Sequence, residues 1–419
     1  MNTFKLALRG LTRNRRRSLV TLAAIAFGFA AIALFAGYTH NVYDGLARSS
    51  IYGEMLGHLT LNKVGLRKEG KLDPERYLLT AEETARISAM LQSDPAVELV
   101  APRLALNGLV SNGRASTIFI AEGIEPTAMA RLQSNPFTAE ELHNPNYQRI
   151  LKQLDSARPE QACLSEGLAE LLHLAPEGQA AVLTSTLSGQ ANALDITVGR
   201  LFNTGNAGTN DKFAFITLDL ARALLDADGR ADRLTVLLKN GQDTETMRAR
   251  LQRELRAAGF DIEIKTWQEL SDFYSQVHGM FDMIFGFIFL IVLTVVLMSI
   301  ANSMGMTVVE RTREIGTLRA MGLKRLGVIR LFTTESVLLA LIGCAGGLLL
   351  TITVRAVVNA AGISYMPPTS ATPVSLLIDI DTGRIAFTAV LMSLVGVAAA
   401  FLPARRAARR LIIDALGHV

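Results

Sequence analysis

Val308–Arg330 reads VVERTREIGTLRAMGLKRLGVIR. It emerges from Met283–Val309, a run of 27 residues without Asp, Glu, Lys or Arg. As an α-helix that run would rise about 40 Å, more than the roughly 30 Å of a bilayer's hydrocarbon core. Six basic residues, two acidic ones and three glycines then fall within the quoted stretch, and Ser336–Val354 is again uncharged. The stretch therefore reads as a charged turnaround between two membrane spans. Ile315, Leu318 and Met321 recur every three residues and predict one face of a short helix. Glu310 and Glu314, four apart, repel unless a partner neutralises one of them; Glu310 also precedes Arg313 by three and Glu314 follows Arg311 by three, so the spacing allows internal pairing. Gly316 permits close backbone approach, and Gly322 is expected to end the helix. The following LKRLGVIRLF reads as an amphipathic segment at the membrane surface.

Two further uncharged runs, Ser18–Thr39 and Ile385–Ala404, bring the count to four. Arg15, Arg16 and Arg17, with Arg9 and Arg13 before them, precede the first. Arg405, Arg406, Arg409 and Arg410 follow the last. The excess of Lys and Arg on these short flanks predicts that both termini and the turnaround face the cytoplasm. The first run is longer than a usual signal-peptide core, so a retained anchor is expected rather than a cleaved leader.

The fold class expected is a membrane protein with four transmembrane helices and a large external α+β domain between the first and second. The boundaries read as a basic cytoplasmic N-terminus over 1–17 and a span over 18–40. The external domain and its stalk fill 41–282, with an inserted subdomain at about 126–210. A span over 283–309, the turnaround over 310–330 and a span over 331–355 follow. An external loop over 356–384, a span over 385–404 and a cytoplasmic tail over 405–419 complete the chain.

Charge supports this division. Residues 41–282 carry a formal balance of −8 and the remainder +12, so the net +4 is the difference of two opposed territories. The positive charge flanks apolar runs, which argues for membrane lipid and against nucleic acid as its partner.

In the external segment, Thr80 and Glu83 form a capping-box pattern before a helix over 81–92. Asn112-Gly113 separates two extended runs as a hairpin would. Met247, Leu251 and Leu255 mark the apolar side of a helix that Gly259 stops. Ser165 and His173 are the nearest approach to a nucleophile and base, and no third partner accompanies them. His58, His143 and His278 are dispersed, and two cysteines are too few for a Cys-only metal site. No G-x-x-x-x-G-K-[ST] occurs, so this chain carries no P-loop for ATP.

Within the spans, Ser299-x-x-x-Ser303 and Gly343-x-x-x-Gly347 allow close helix approach. They read as packing positions, between subunits, rather than a solute pore. Glu335 and Arg355 sit near span ends, where snorkelling or pairing suffices.

The segment NSMGMTVVERTREIGTLRAMGLKRLGVIRLFTTESVLLALIGCAGG resembles the FtsX-like, or MacB-like, permease family of type VII ABC transporters. FKLALRGLTRNRRRSLVTLAAIAFG and LPARRAARRLIIDALG are similar to its flanking signatures. GHLTLNK and APRLALNGLVSNG look like the lipoprotein-releasing branch. The resemblance implies that the turnaround is a coupling helix docked on a cytosolic ATPase through Glu310, Arg311, Arg313, Glu314, Ile315, Leu318, Arg319 and Met321. It implies an ABC ATPase dimer and a second permease subunit, identical or related, as partners. A periplasmic adaptor or a lipoprotein substrate would engage the external domain. ATP and Mg would be used in the partner ATPase and no cofactor in this chain, a non-catalytic subunit of the bacterial inner membrane. The alternative implied is a transmembrane regulator that couples the ATPase to an external enzyme without transport.

Overall fold

The computed structural model describes residues 15–70, 73–134, 152–366 and 374–409. Arg9, Arg13, His143, Arg410 and the terminal LIIDALG lie outside them. The chain divides into two compact units. One comprises residues 1–43, 277–364 and 375–419, and the other residues 44–276 and 365–374.

The first unit is helical. Among the described residues, four helices are long and apolar enough to cross a membrane: Arg16–Gly53, Asp272–Glu310, Arg325–Ala360 and Thr382–Arg409. The second, at 39 residues, rises about 58 Å and so extends well beyond a hydrocarbon core. Buried Ile25, Phe29 and Ile32 of the first helix join Val296, Ile300 and Met304 of the second in one apolar cluster. Leu339 and Cys344 of the third and Met392 and Ala400 of the fourth complete it. Small residues set the spacing. A Cβ on Gly343 would stand 2.6 Å from Ile25, and one on Gly347 would stand 2.7 Å from the Ala26 carbonyl oxygen. The Gly343-x-x-x-Gly347 seam therefore faces the chain's own first helix. Ser303 is buried and Ser299 half-buried.

Among the described residues the second unit is built on a sheet of nine strands: β1 (Leu59–Lys63), β2 (Val97–Ser111), β3 (Ser116–Ile124), β4 (Gln161–Ser165), β5 (Gln179–Ser185), β6 (Ala191–Phe202), β7 (Phe213–Thr217), β8 (Arg233–Leu238) and β9 (Ile262–Thr266). Strands β2, β8, β1 and β9 lie side by side, all antiparallel. Helices Ala81–Gln92 and Thr244–Ala257 link β1 to β2 and β8 to β9. Two such strand–helix–strand halves in this order make the split βαβ arrangement of a ferredoxin-like fold. Ile87, Leu91, Met247, Leu251 and Leu255 pack beneath it.

Between the halves the chain makes a second lobe. Strands β2, β3, β7, β4, β6 and β5 each pair with the next, and β5 returns to β2, so the six close on themselves. Leu104, Leu106, Phe119, Val182, Val198 and Ile216 pack together there with helix Leu218–Leu225. Strand β2 is 15 residues long because it belongs to both lobes. The capping box at Thr80 and Glu83 is present, the 112–113 turn has Gly113 at a φ of 82°, and Gly259, at 85°, stops its helix.

The first spanning helix runs without interruption through Arg48 into a π turn, Ser49–Gly53. The lead into the second is broken. Trp267–Leu270 forms one turn, Ser271 leaves the helical region at a ψ of 92°, and Asp272 starts the long helix.

Candidate functional site: the turnaround between the second and third spans

The second spanning helix ends at Glu310, and Arg311 departs from helical geometry at a ψ of 14°. A separate nine-residue helix, Thr312–Ala320, follows. Its start leans on the preceding helix: the Thr312 hydroxyl donates to the Val308 carbonyl at 2.9 Å, as Thr307 does to Ser303 at 2.8 Å. Its end is a Schellman turn. Leu323 N–H donates to the Leu318 carbonyl and Gly322 N–H to that of Arg319, each at 3.0 Å, with Gly322 at a φ of 98°.

Lys324 then takes the extended N-cap position before the third helix, which is continuous from Arg325 to Ala360. LKRLGVIRLF is thus not a separate surface segment. From Arg325 it forms the first turns of a spanning helix, because once Lys324 has left the extended region nothing up to Ala360 interrupts the backbone ladder.

The eight candidate residues divide into supports and surface. Ile315 is 5% exposed and belongs to the apolar cluster of the spans, while Met321 is 72% exposed. The expected Ile315/Leu318/Met321 face is therefore corrected: helix ends at Ala320, so Met321 swings out, and Leu318 is only half-buried. Gly316 is buried beside Ile315. Arg313 and Glu314 are exposed and Arg319 is half-buried.

Glu310 and Arg311 point elsewhere. Glu310 accepts a forked pair from Arg17 of the first helix, at 2.5 and 3.2 Å, the neutralising partner that the like-charge spacing called for. Arg311 donates through Nη1 to Glu335 at 3.2 Å and lies 3.8 Å from Glu314. Glu335 is 2% exposed. Of the snorkelling or pairing open to it at the span end, Glu335 takes pairing, through this contact across helices. Sequence reasoning missed Arg17 and Glu335 as partners because both act at a distance along the chain. The one signal was an acidic residue opening an apolar run.

The other chemical candidates lie in the external unit and in the spans. The buried Ser165 hydroxyl accepts the Phe213 N–H at 3.2 Å, at the end of β4, and His173 is exposed at a φ of 49°. Buried His58 accepts the Leu238 N–H through Nδ1 at 3.0 Å, and burial pushes its pKa down to about 4. Cys163 and Cys344 are both free and buried.

Two family models match successive parts of the chain. The MacB-like periplasmic core domain matches residues 18–254, more than half of the chain, and the FtsX-like permease C-terminal region matches 286–412. The chain belongs to the FtsX/MacB-like ABC permease family. The fold is accordingly that of four membrane-spanning helices flanking a large periplasmic α+β domain. Within this permease family, the macrolide export ATP-binding/permease protein MacB of Chromobacterium violaceum is 26% identical over 99% of this chain and 60% of its own length. An uncharacterized ABC transporter permease of Methanocaldococcus jannaschii is 26% identical over 52% of this chain and 54% of its own. The chain thus spans a little over half the length of these relatives. The solved periplasmic region of MacB from Actinobacillus actinomycetemcomitans aligns with 52% of this permease and 92% of its own length. Its 10% identity and TM-score of 0.34 are too low to carry residue-level geometry.

Proposed function

We propose that this chain is the membrane-spanning, non-catalytic subunit of an ABC transporter whose turnaround helix, Thr312–Ala320, docks on a separate cytosolic ATPase. In this reading a dimer of the permease, or a pair with a related subunit, sits on an ATPase dimer. ATP and Mg are used there, and both termini share the cytosol with the turnaround. The work done reaches the periplasmic domain and drives export or membrane extraction of an amphiphilic substrate such as a lipoprotein, with or without a periplasmic adaptor.

The observation that carries the proposal is the division of labour within the turnaround. Ile315 and the Arg311–Glu335 pair seat a short helix on the spans, while Arg313, Glu314 and Met321 are presented outward. A loop that only reconnects two spans needs no such seat. Arg313 and Arg319 carry planar donor forks suited to carboxylates on a partner, and Glu314 offers the reverse charge.

Charge reversal tests it. Glu314→Lys and Arg319→Glu should each weaken binding of the co-purifying ATPase by about 2 kcal/mol, roughly 30-fold. Binding to the purified permease in nanodiscs, at matched protein levels, is the measurement. Wild-type affinity in both variants sinks the docking assignment.

A further inference from the structure

The first spanning helix ends inside the external unit in an unusual way. After the π turn Ser49–Gly53 the chain reverses through Met55, a non-glycine residue at a φ of 57°, and Gly57 at 66°. A left-handed bulky residue costs on the order of 1–3 kcal/mol and persists only where its surroundings hold it. Met55 is fully buried.

Two buried cations hold this elbow by its backbone. Arg103, on β2 and fully buried, donates from Nη1 to the Met55 carbonyl at 2.5 Å. Its guanidinium also pairs with Glu122 and stands 5.9 Å from the Phe215 ring. Lys152, 9% exposed, donates from Nζ to the Gly53 carbonyl at 2.5 Å. It faces the Phe202 and Phe215 rings at 5.3 and 5.4 Å. Beside them the buried Ser50 hydroxyl donates to that of Ser271 at 2.9 Å, one residue before the second long helix begins. Carbonyls at the end of a helix have no partner within it and carry its partial negative charge, so cations there are both satisfied and attracted.

An apolar plug could fill the same space, and replacing buried charge by apolar groups is often neutral or stabilising. What apolar packing lacks is direction. A charged donor on a named carbonyl fixes where the helix end points relative to the sheet.

We infer that Lys152 and Arg103 are positioning residues that lock the end of the first spanning helix to the external sheet, so that a displacement of that helix moves the sheet instead of being absorbed at the elbow. The source of the displacement rests on the function proposed above; the lock itself does not.

Titration offers a reversible way to open it. Burial pushes the Lys152 pKa down to about 8, assisted by Arg103 and opposed by Glu54, with Cys163 also alongside. Around Arg103 the charged groups are Glu122, Asp232 and Arg233. Above that pH the ammonium becomes a neutral amine and its grip on Gly53 weakens, whereas an arginine in its place stays charged.

The test uses the full chain in nanodiscs with nitroxide labels at Gly45→Cys, on the first helix, and Ile118→Cys, on β3. Open space surrounds the Gly45 position and Ile118 is 65% exposed, while Cys163 and Cys344 are buried. Pulsed electron paramagnetic resonance should give a single narrow distance peak at about pH 7 in the wild type and in Lys152→Arg. Lys152→Met should lose that peak. At about pH 9.5 the wild type should lose it too, and Lys152→Arg should keep it. A narrow peak in Lys152→Met, or equal broadening of wild type and Lys152→Arg at high pH, overturns the lock. Because the alkaline arm uses unmutated protein, it decides the matter even if Lys152→Met folds poorly. Adding the partner ATPase with ATP and Mg separates the two ideas: labels that respond to pH as expected but never to nucleotide would remove the motor reading and leave the lock standing.

Discussion

In the membrane unit Arg311 meets a buried carboxylate, Glu335, at 3.2 Å, whereas in the external unit Arg103 and Lys152 each reach a backbone carbonyl. The contrast follows from what each backbone leaves open. Glu335 is buried inside the third spanning helix, whose N–H groups are used within it, so its carboxylate takes a side-chain donor. At the Ser49–Met55 elbow the helix has ended, and the Gly53 and Met55 carbonyls are open to side-chain donors. One kind of contact ties helices to each other; the other ties a helix end to a sheet.

The sharpest way to break the comparison is at the carboxylate. Arg311→Leu leaves Glu335 buried without its cation and should cost about 3–5 kcal/mol. Arg311→Leu with Glu335→Leu should recover most of that loss, and a thermal-unfolding cycle in detergent measures both. If the double variant is as unstable as the single one, the pair is not what seats the turnaround.

Next in size is the external unit's response to acid. His58 is held neutral, with a pKa pushed down to about 4 from an ordinary 6.5. The unfolded chain then binds the extra proton between these values, so stability is full above about pH 6.5, declines as pH falls from there to about 4, and levels off below. The expected loss is about 3 kcal/mol, carried by the external unit. Trp267, the single tryptophan, lies in that unit and reports its unfolding by fluorescence. His58→Gln, which cannot take up a proton in this range, should flatten the profile.

The smallest effect refines the contrast at a helix start. Thr80→Ala removes the hydroxyl that accepts the Glu83 N–H at 3.2 Å and should cost about 1 kcal/mol. The same Trp267 signal under denaturant checks it, and an unchanged midpoint would mean that Glu83 alone suffices as a cap.

Legibility followed the range of each interaction. The apolar runs, the Thr80/Glu83 box, the Asn112-Gly113 hairpin and the Met247/Leu251/Leu255 side of a helix are local signals, and all are present in the structure. At the candidate site Gly322 was equally readable as a stop. Its ion pairs were not. Local spacing allowed Glu310 with Arg313 but could not name the Arg17 guanidinium, 293 residues away, that takes that carboxylate. Met321 followed the three-residue rhythm of Ile315 and Leu318, but a Schellman turn ended the helix first. The elbow at Met55 left no trace either, since neither a buried cation nor a left-handed methionine has a local signature.

Hydropathy and charge written along the chain were enough to require four spans, an acidic external segment and a charged turnaround, because burial in a bilayer excludes charge over twenty residues at a time. Tertiary structure alone decided that β2 serves two lobes, that Gly343 and Gly347 close on the first helix, and that Arg103 and Lys152 grip an elbow. Those outcomes depend on which surfaces meet, and strand pairing or a cation's partner is fixed only when distant segments compete for the same space.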